Sequence, residues 1–209
     1  MGERVDIEVI IQKFQEAKNE DGQILLQPFL KGYAEIILFF DLLGTAFGFI
    51  GKDLKDKSRI MSQHLAENPD NFTSVQSMLS YELENKLTKK TTSSGLLSGS
   101  RTYLRLHRAL EFFIKFIAAL RDLPMDTKIS GIASESYSAT IAKYHAWLIK
   151  QAGYLAIKTL PTKEVFLQRY LKQDADRIHE LAEPVTAAMQ DIFDTAQALY
   201  AKDDLLDLP

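Results

Sequence analysis

The chain has 209 residues, no cysteine and a formal net charge of −3, from 25 Lys and Arg against 28 Asp and Glu. With 46% hydrophobic residues, this composition is typical of a globular protein and excludes collagen-like and low-complexity classes, disulfide scaffolds and thiolate metal sites. The slightly acidic total argues against an anionic partner such as nucleic acid or a phosphorylated ligand. The charged N-terminus lacks a signal peptide, so we expect a cytosolic protein.

Apolar residues recur with helical spacing through nearly the whole chain, and no alternating run indicates a strand. In chain order, helices are predicted near residues 5–18, 28–43, 45–66, 79–87, 100–121 and 134–158, with a short one opened by 161–164 and a last one at 174–201. Gly44 is predicted to end the second helix and Thr45 to cap the third. Residues 91–100, mostly Ser, Thr and Gly, are predicted to form the most flexible loop. We therefore expect an all-α fold of two packed layers in one domain, residues 1–209.

The small net charge hides a strong segregation of charged residues. Residues 51–60 carry four bases against two acids, and residues 101–110 carry three arginines and no acid. Residues 172–209, in contrast, hold nine acids against three bases. Two internal helices are therefore basic, and the acidic total comes from the end of the chain.

Arg101, Arg105 and Arg108 are spaced i, i+4 and i+7, which places them on one helix face. Like charges at this spacing repel unless an anion lies across them, and the planar guanidinium suits phosphate oxygens. A solvated arginine face explains the same pattern, just as Asp53 and Lys57 at i, i+4 could be an ordinary surface pair. Both interpretations stay open at the level of spacing.

His145 and Trp147 lie in the segment YHAW, inside a predicted helix that is otherwise apolar. A histidine there is either a core residue bonded to a backbone carbonyl or a ligand-binding residue. Trp147 is the only tryptophan, and it fits either the core or an amphipathic anchor at a membrane interface.

Sequence signals for catalysis are weak. The chain has no glycine-rich phosphate loop, no G-x-S-x-G elbow and no H-E-x-x-H motif. His179 and Glu183 are one helical turn apart, but such a pair on an acidic face is more typical of a solvated surface than of a metal site. We therefore expect a protein that is not an enzyme and that uses no metal or other cofactor.

Several stretches together resemble the glycolipid transfer protein superfamily. They are FGFIGKD at 47–53, KSRIM at 57–61, RTYLRLHRAL at 101–110, YHAW at 144–147, TLPTKEVFL at 159–167, and LYA and LLDLP near the end of the chain. The resemblance covers nearly the whole chain and is weakest in the first two dozen residues and in the serine-rich loop. It implies a two-layer sandwich of about eight helices that encloses a lipid pocket and carries lipid between membranes without catalysis.

The resemblance also implies roles for particular residues. Asp53 would accept a hydrogen bond from the amide N–H of a ceramide, and His145 would donate one to its acyl carbonyl. Lys57, Arg101 and Arg105 would hold a phosphate. The sugar-binding branch of the superfamily has tryptophan in place of Arg105 and asparagine in place of Lys57, so the expected headgroup is anionic, as in ceramide-1-phosphate or a related sphingolipid.

The lipid chains would lie in an apolar pocket, for which plausible lining residues are Phe39, Phe40, Phe47, Phe49, Ile50, Phe112, Phe113 and Phe116. Trp147, Arg59 and Arg108 would contact the membrane during transient docking. We expect a monomer. The alternative is a lipid sensor or all-α adaptor that binds the same lipid and acts by recruiting a protein partner.

Overall fold

Helices form nearly all of the regular secondary structure. The computed structural model describes residues 2–92 and 95–209, and nine α-helices lie within them. They are α1 (Ile7–Glu16), α2 (Leu26–Leu42), α3 (Gly48–Glu67), α4 (Val75–Glu84), α5 (Gly99–Arg121), α6 (Ser130–Ala139), α7 (Trp147–Ile157), α8 (Lys163–Tyr170) and α9 (Ala175–Lys202). Short 3₁₀ helices at Thr45–Phe47 and Ile141–Tyr144 precede α3 and α7. Strand pairing in the described residues is limited to isolated bridges, so the all-α prediction is confirmed.

Two groups of helices form the predicted layers. Helix α2 packs against both α1 and α3, while α5 packs against α9. Contacts of α1 with α9 and of α3 with α5 join the two groups, and the short helices α4 and α6 also lie against α5. The arginine-bearing helix α5 is therefore packed against neighbours on several sides, which leaves only part of its surface for a ligand.

Aromatic side chains fill the junction between α1, α2 and α5. Phe14 meets Phe29 edge to face at 5.8 Å, and Phe29 contacts Tyr33 at 5.0 Å and Tyr103 at 4.9 Å between ring centroids. A Cβ atom on Gly32 would lie 2.8 Å from the Phe14 ring, so only glycine permits this close approach. This junction fixes α5 against the first two helices.

The prediction of one helix over residues 134–158 is wrong, because the chain breaks between α6 and α7. Thr140 leaves the helical conformation, and its hydroxyl donates to the Ser136 carbonyl at 2.7 Å. A threonine hydroxyl bonded to the carbonyl four residues earlier weakens and bends a helix without by itself ending it. His145 and Ala146 are extended, and α7 begins at Trp147. His145 consequently lies at a joint rather than in the middle of a helix.

A buried carboxylate fixes the start of α5. Glu82 on α4 is 2% exposed and accepts hydrogen bonds from the backbone N–H groups of Gly99 at 2.7 Å and Ser100 at 3.0 Å. The negative charge lies at the positive end of the helix dipole, where it is stabilised. The Ser98 side chain supplies a further cap by accepting from the Arg101 N–H at 3.3 Å.

Other predicted boundaries differ in detail. Thr45 does not cap α3, because a 3₁₀ turn intervenes and neither helix has a side-chain cap. Leu87 lies beyond the end of α4. In the serine-rich loop, Ser93 and Ser94 lie outside the described residues, so the flexibility expected there stays a prediction.

The segment after α9 folds back against α5. The backbone N–H of Leu205 donates to the Tyr200 carbonyl at 2.9 Å, and the side chains of Leu205 and Leu208 are buried. Arg108 on α5 donates from one Nη2 atom to the carbonyls of Leu206 at 2.6 Å and Leu208 at 3.2 Å. Residues 203–209, termed the C-terminal segment below, therefore form part of the surface around the arginines.

Candidate functional site

A cavity of about 730 Å³ opens between α3, α5, α7 and the C-terminal segment, and it is termed the charged cavity here. The polar and charged residues of its wall are Asp53, Lys57, Arg105, Arg108, Tyr137, Tyr144, His145 and Asp207. The larger apolar residues of its wall are Phe40, Phe47, Phe49, Ile50, Leu54, Phe112, Phe113, Ile141, Ile149 and Ile157. The cavity thus joins cations and hydrogen-bonding groups to an aromatic surface, a combination suited to an amphipathic ligand.

Lys57 is the most buried cation of the charged cavity. Its side chain is 11% exposed and forms an ion pair with Asp53, one helical turn earlier on α3, whose side chain is 64% exposed. A cation this buried needs a partner, because leaving it unpaired costs several kcal/mol. The i, i+4 spacing on α3 supplies that partner locally.

The predicted phosphate residues are only partly brought together. Lys57 and Arg105 both line the charged cavity. Arg101, one turn before Arg105, is not among the lining residues, and its Nε atom donates to the Pro209 carbonyl at 3.2 Å. Since Pro209 itself lines the cavity, Arg101 lies beside it, behind the C-terminal segment.

Arg108, predicted to contact membrane, is held inside the protein surface. Besides its bonds to the C-terminal segment, its guanidinium lies 4.0 Å from the ring centroid of Tyr144. Burial lowers the pKa of Arg108, although an arginine remains charged at neutral pH. With these contacts the guanidinium faces the cavity wall, which does not favour the predicted docking role.

His145 projects into the charged cavity from the joint between the 3₁₀ helix and α7. Its Nδ1 atom is 2.8 Å from the hydroxyl oxygen of Tyr137, so its partner is a tyrosine and not the backbone carbonyl of the core interpretation. Burial lowers the pKa of His145, and the nearby charge of Asp53 acts in the opposite direction. The imidazole is therefore neutral at physiological pH.

A second cavity of about 360 Å³, termed the deep cavity below, lies between α1, α2, α5, α8 and α9, and its accessible wall is mostly apolar. Phe113 lines both cavities, so they approach each other at this side chain. Three of the surrounding rings contact one another: Phe166 meets Phe39 at 5.5 Å and Phe116 at 6.0 Å, in both cases edge to face.

The eight residues predicted to line a lipid pocket divide between the two cavities. Phe39 and Phe116 line the deep cavity and Phe113 lines both, while the charged cavity is also lined by Phe40, Phe47, Phe49, Ile50 and Phe112.

Large apolar side chains are exposed beside the mouth of the charged cavity. Trp147 is 69% exposed and Leu148 is 72% exposed, and both belong to the first turn of α7, which begins two residues after His145. The core interpretation of Trp147 is therefore wrong. Arg59 is exposed on α3, where it donates to Gln63 at 3.2 Å. Scattered single apolar residues are ordinary on a protein surface, whereas these two are adjacent and lie beside the cavity mouth.

The arrangement is suited to binding an anion. Asp53 is an acceptor, His145 can donate, and the cations can hold an anion. Residues 2–92 and 95–209 contain no cluster of potential ligands that could hold a metal ion. None of the helices formed by the same residues is long and apolar enough to cross a membrane.

The chain belongs to the glycolipid transfer protein family. The sequence model of the family described as Glycolipid transfer protein (GLTP) matches residues 24–172, which include α2 to α8 and every charged residue of the cavity except Asp207. The family membership expected from the sequence is thereby confirmed.

Within that family, the chain is similar to ceramide-1-phosphate transfer proteins. It is 35% identical to that of Homo sapiens over 207 residues, covering 98% of this chain and 96% of the relative. The crystal structure of the human protein in complex with 2:0 ceramide-1-phosphate has a TM-score of 0.90 and 34% identity, covering 99% of this chain and 100% of that chain. The apo mouse protein also has a TM-score of 0.90, with 35% identity over 97% of this chain and 99% of that chain.

Proposed function

We propose that the protein binds ceramide-1-phosphate and carries it between membranes without altering it chemically. The observation that carries this proposal is the charged cavity, where Lys57 and Arg105 lie beside Asp53 and a neutral His145, over an aromatic wall. A phosphorylated ceramide has the complementary groups in the same order: a phosphate, an amide and apolar chains. The bound lipid named for the similar human structure is the same compound.

The phosphate would lie between Lys57 and Arg105. A phosphate monoester carries a charge of about −1.5 to −2 near pH 7, and charge-assisted hydrogen bonds to it are the strong kind. Lys57 would exchange its ion pair with Asp53 for the phosphate, and this exchange would leave the carboxylate free to accept from the amide N–H. His145 would donate to the acyl carbonyl. Arg101 would add long-range attraction and become a direct ligand only if the C-terminal segment moved.

The lipid chains would occupy the aromatic part of the charged cavity and continue past Phe113 into the deep cavity. At about 0.8 kcal/mol per CH₂ group, a 16-carbon chain costs about 13 kcal/mol to expose to water, so an aqueous carrier must enclose it. One continuous hydrophobic core includes residues from Val5 to Leu208. This core also supports our proposal that residues 1–209 form one domain.

Trp147 and Leu148 would enter the membrane interface during docking. They lie two and three residues after His145, so the same contact would bring the cavity mouth to the lipid surface. Arg59 would attract anionic headgroups at some distance from the mouth.

The proposal is tested by measuring transfer of fluorescent ceramide-1-phosphate between donor and acceptor vesicles. Arg105→Leu is expected to slow transfer by tenfold or more, because a hydrogen bond to a charged group contributes about 1.5–3 kcal/mol. Arg4→Leu, which removes an exposed arginine outside the cavity, is the matched control and should keep the wild-type rate. Arg101→Leu should fall between the two.

Equal rates for Arg105→Leu and the wild type would refute the phosphate assignment. Failure of the wild-type protein to bind the lipid would refute the function itself. Binding without any transfer would instead support the alternative of a lipid sensor that recruits a partner.

A further inference from the structure

The ring of His145 is oriented by a single tyrosine. Tyr137 on α6 is 4% exposed, and its hydroxyl lies 2.8 Å from His145 Nδ1. The Tyr137 ring packs edge to face against Tyr154 on α7 at 5.2 Å. A Cβ atom on Gly153 would lie 3.1 Å from the Tyr137 hydroxyl, so the glycine leaves space for it. Side chains from three segments thus converge on one hydrogen bond.

The direction of this bond decides what His145 presents to a ligand. In a neutral imidazole one nitrogen carries the proton and the other accepts. If Nδ1 donated, the Tyr137 proton would have no acceptor among the hydrogen bonds of the described residues, which is costly at a buried site. Burial raises the pKa of Tyr137 to about 12, so the hydroxyl keeps its proton at neutral pH. The hydroxyl therefore donates to Nδ1, and the proton of the imidazole lies on Nε2.

We infer that Tyr137 is a positioning residue that holds His145 in the tautomer with the proton on Nε2, so that the site presents one donor beside the acceptor Asp53. This inference rests on the proposed function. A donor beside an acceptor matches an amide-linked acyl chain, which offers a carbonyl and an N–H group. A lipid with the same phosphate but a free amine lacks the carbonyl, and the donor on His145 then has no partner.

The charges around the imidazole do not fix the tautomer themselves. Asp53 on α3 favours the protonated ring, while Lys57 on α3 and Lys150 on α7 disfavour it, so these influences oppose one another. Tyr137 is the group that contacts Nδ1 directly. Its removal should therefore change the tautomer without requiring a change in net charge.

The tautomer is measured by long-range proton–nitrogen NMR on histidine-labelled protein, first for the wild type without lipid. His145 is expected to show the proton on Nε2 at neutral pH. Tyr137→Phe should give a mixture of the two neutral tautomers. Tyr154→Phe keeps the ring contact and removes a different hydroxyl, so its spectrum should match that of the wild type. A wild-type His145 with its proton on Nδ1 would overturn the inference without the need for any variant.

Binding gives a second readout that a general loss of packing would not produce. Affinities are measured for 12:0 ceramide-1-phosphate and for sphingosine-1-phosphate, which has the phosphate but no acyl carbonyl. Tyr137→Phe is expected to reduce the preference for the acylated lipid about fivefold, the equivalent of one ordinary hydrogen bond. Tyr154→Phe should leave the preference unchanged.

The experiments distinguish a wrong function from a wrong role of Tyr137. If the wild type binds neither lipid, the proposed function is wrong and the inference falls with it. If the wild type prefers ceramide-1-phosphate and Tyr137→Phe keeps both the preference and the tautomer, the function stands and the inference is wrong. Equal weakening of both lipids by Tyr137→Phe would also overturn it, because that result indicates a structural effect on the whole cavity.

Discussion

Replacing Glu82 by glutamine removes the charge at the start of α5 while keeping the size of the side chain. The native carboxylate is buried and accepts from the backbone N–H groups of Gly99 and Ser100, one bond to each oxygen. Glutamine has one accepting oxygen, and its NH₂ group would face the second N–H. The helix that carries Arg101 and Arg105 would therefore begin with one backbone donor unpaired.

The size of the effect follows from these contacts. A hydrogen bond to a charged group contributes about 1.5–3 kcal/mol, so the loss of one bond and the weakening of the other amount to about 2–3 kcal/mol. The interaction of the carboxylate with the helix dipole adds up to about 1 kcal/mol. Glu82→Gln should thus lower the free energy of unfolding by about 3 kcal/mol, a large part of the 5–15 kcal/mol typical of a domain.

Urea unfolding followed by circular dichroism measures this difference for the wild type, Glu82→Gln and Glu84→Gln. Glu84 lies two residues further along α4 and is exposed, so its substitution makes the same chemical change without burial and should alter stability by less than about 0.5 kcal/mol. Hydrogen exchange should also show faster exchange at Gly99 and Ser100 in Glu82→Gln. If the two glutamine variants are equally stable, the buried carboxylate does not fix α5 as reasoned.

Three further predictions concern pH, membrane contact and chain length. Burial lowers the pKa of His107 to about 4, whereas the unfolded residue titrates near 6.5, so the stability it contributes above pH 6.5 is lost as the pH falls toward 4. Between pH 6.5 and 4.5 the free energy of unfolding should therefore fall by about 2 kcal/mol less in His107→Phe than in the wild type. Identical pH profiles of the two proteins would contradict this. Trp147→Ala should leave the melting temperature nearly unchanged, because the side chain is 69% exposed, yet reduce co-sedimentation with vesicles severalfold; unchanged co-sedimentation would exclude the docking role. Ala182→Phe places a ring in the deep cavity and should slow transfer of ceramide-1-phosphate with a 16-carbon acyl chain but not of the form with a 2-carbon acyl chain. Equal effects on both lipids would show that the acyl chain does not enter the deep cavity.

The residues of the candidate site were predicted from the family resemblance, because their helical spacings alone left a solvated surface open as an alternative. Asp53 and Lys57 are one turn apart on α3, and Lys57 and Arg105 do reach the same cavity. The i, i+4, i+7 spacing also placed the three arginines correctly on one helix. It could not reveal their different environments, because the C-terminal segment lies against Arg101 and Arg108 and comes from about 100 residues away in sequence.

The Tyr137–His145 contact shows a second limit of periodicity. In an uninterrupted helix these residues would be about 12 Å apart along the axis, so their side chains would not meet. The contact exists because Thr140 ends α6 and the chain then changes direction. Helical periodicity continues across this point in the apolar pattern, and the hydroxyl–carbonyl bond that accompanies the break is compatible with a continuing helix as well. The tertiary contacts near this break include the stacking of Arg108 on Tyr144, which helical periodicity does not reveal.

The Asp53–Lys57 pair explains how one site can be stable when empty and still release its ligand. A buried lysine without a partner would destabilise the empty protein by several kcal/mol, and Asp53 prevents this. Because the Asp53 side chain is 64% exposed, water solvates the carboxylate when the pair separates, so the cost of separation lies mainly in the buried lysine. In the proposed transfer cycle, the phosphate then replaces Asp53 as the partner of Lys57, and the ceramide amide N–H donates to the Asp53 carboxylate. Unloading simply restores the pair, so neither end of the cycle leaves a buried charge unpaired.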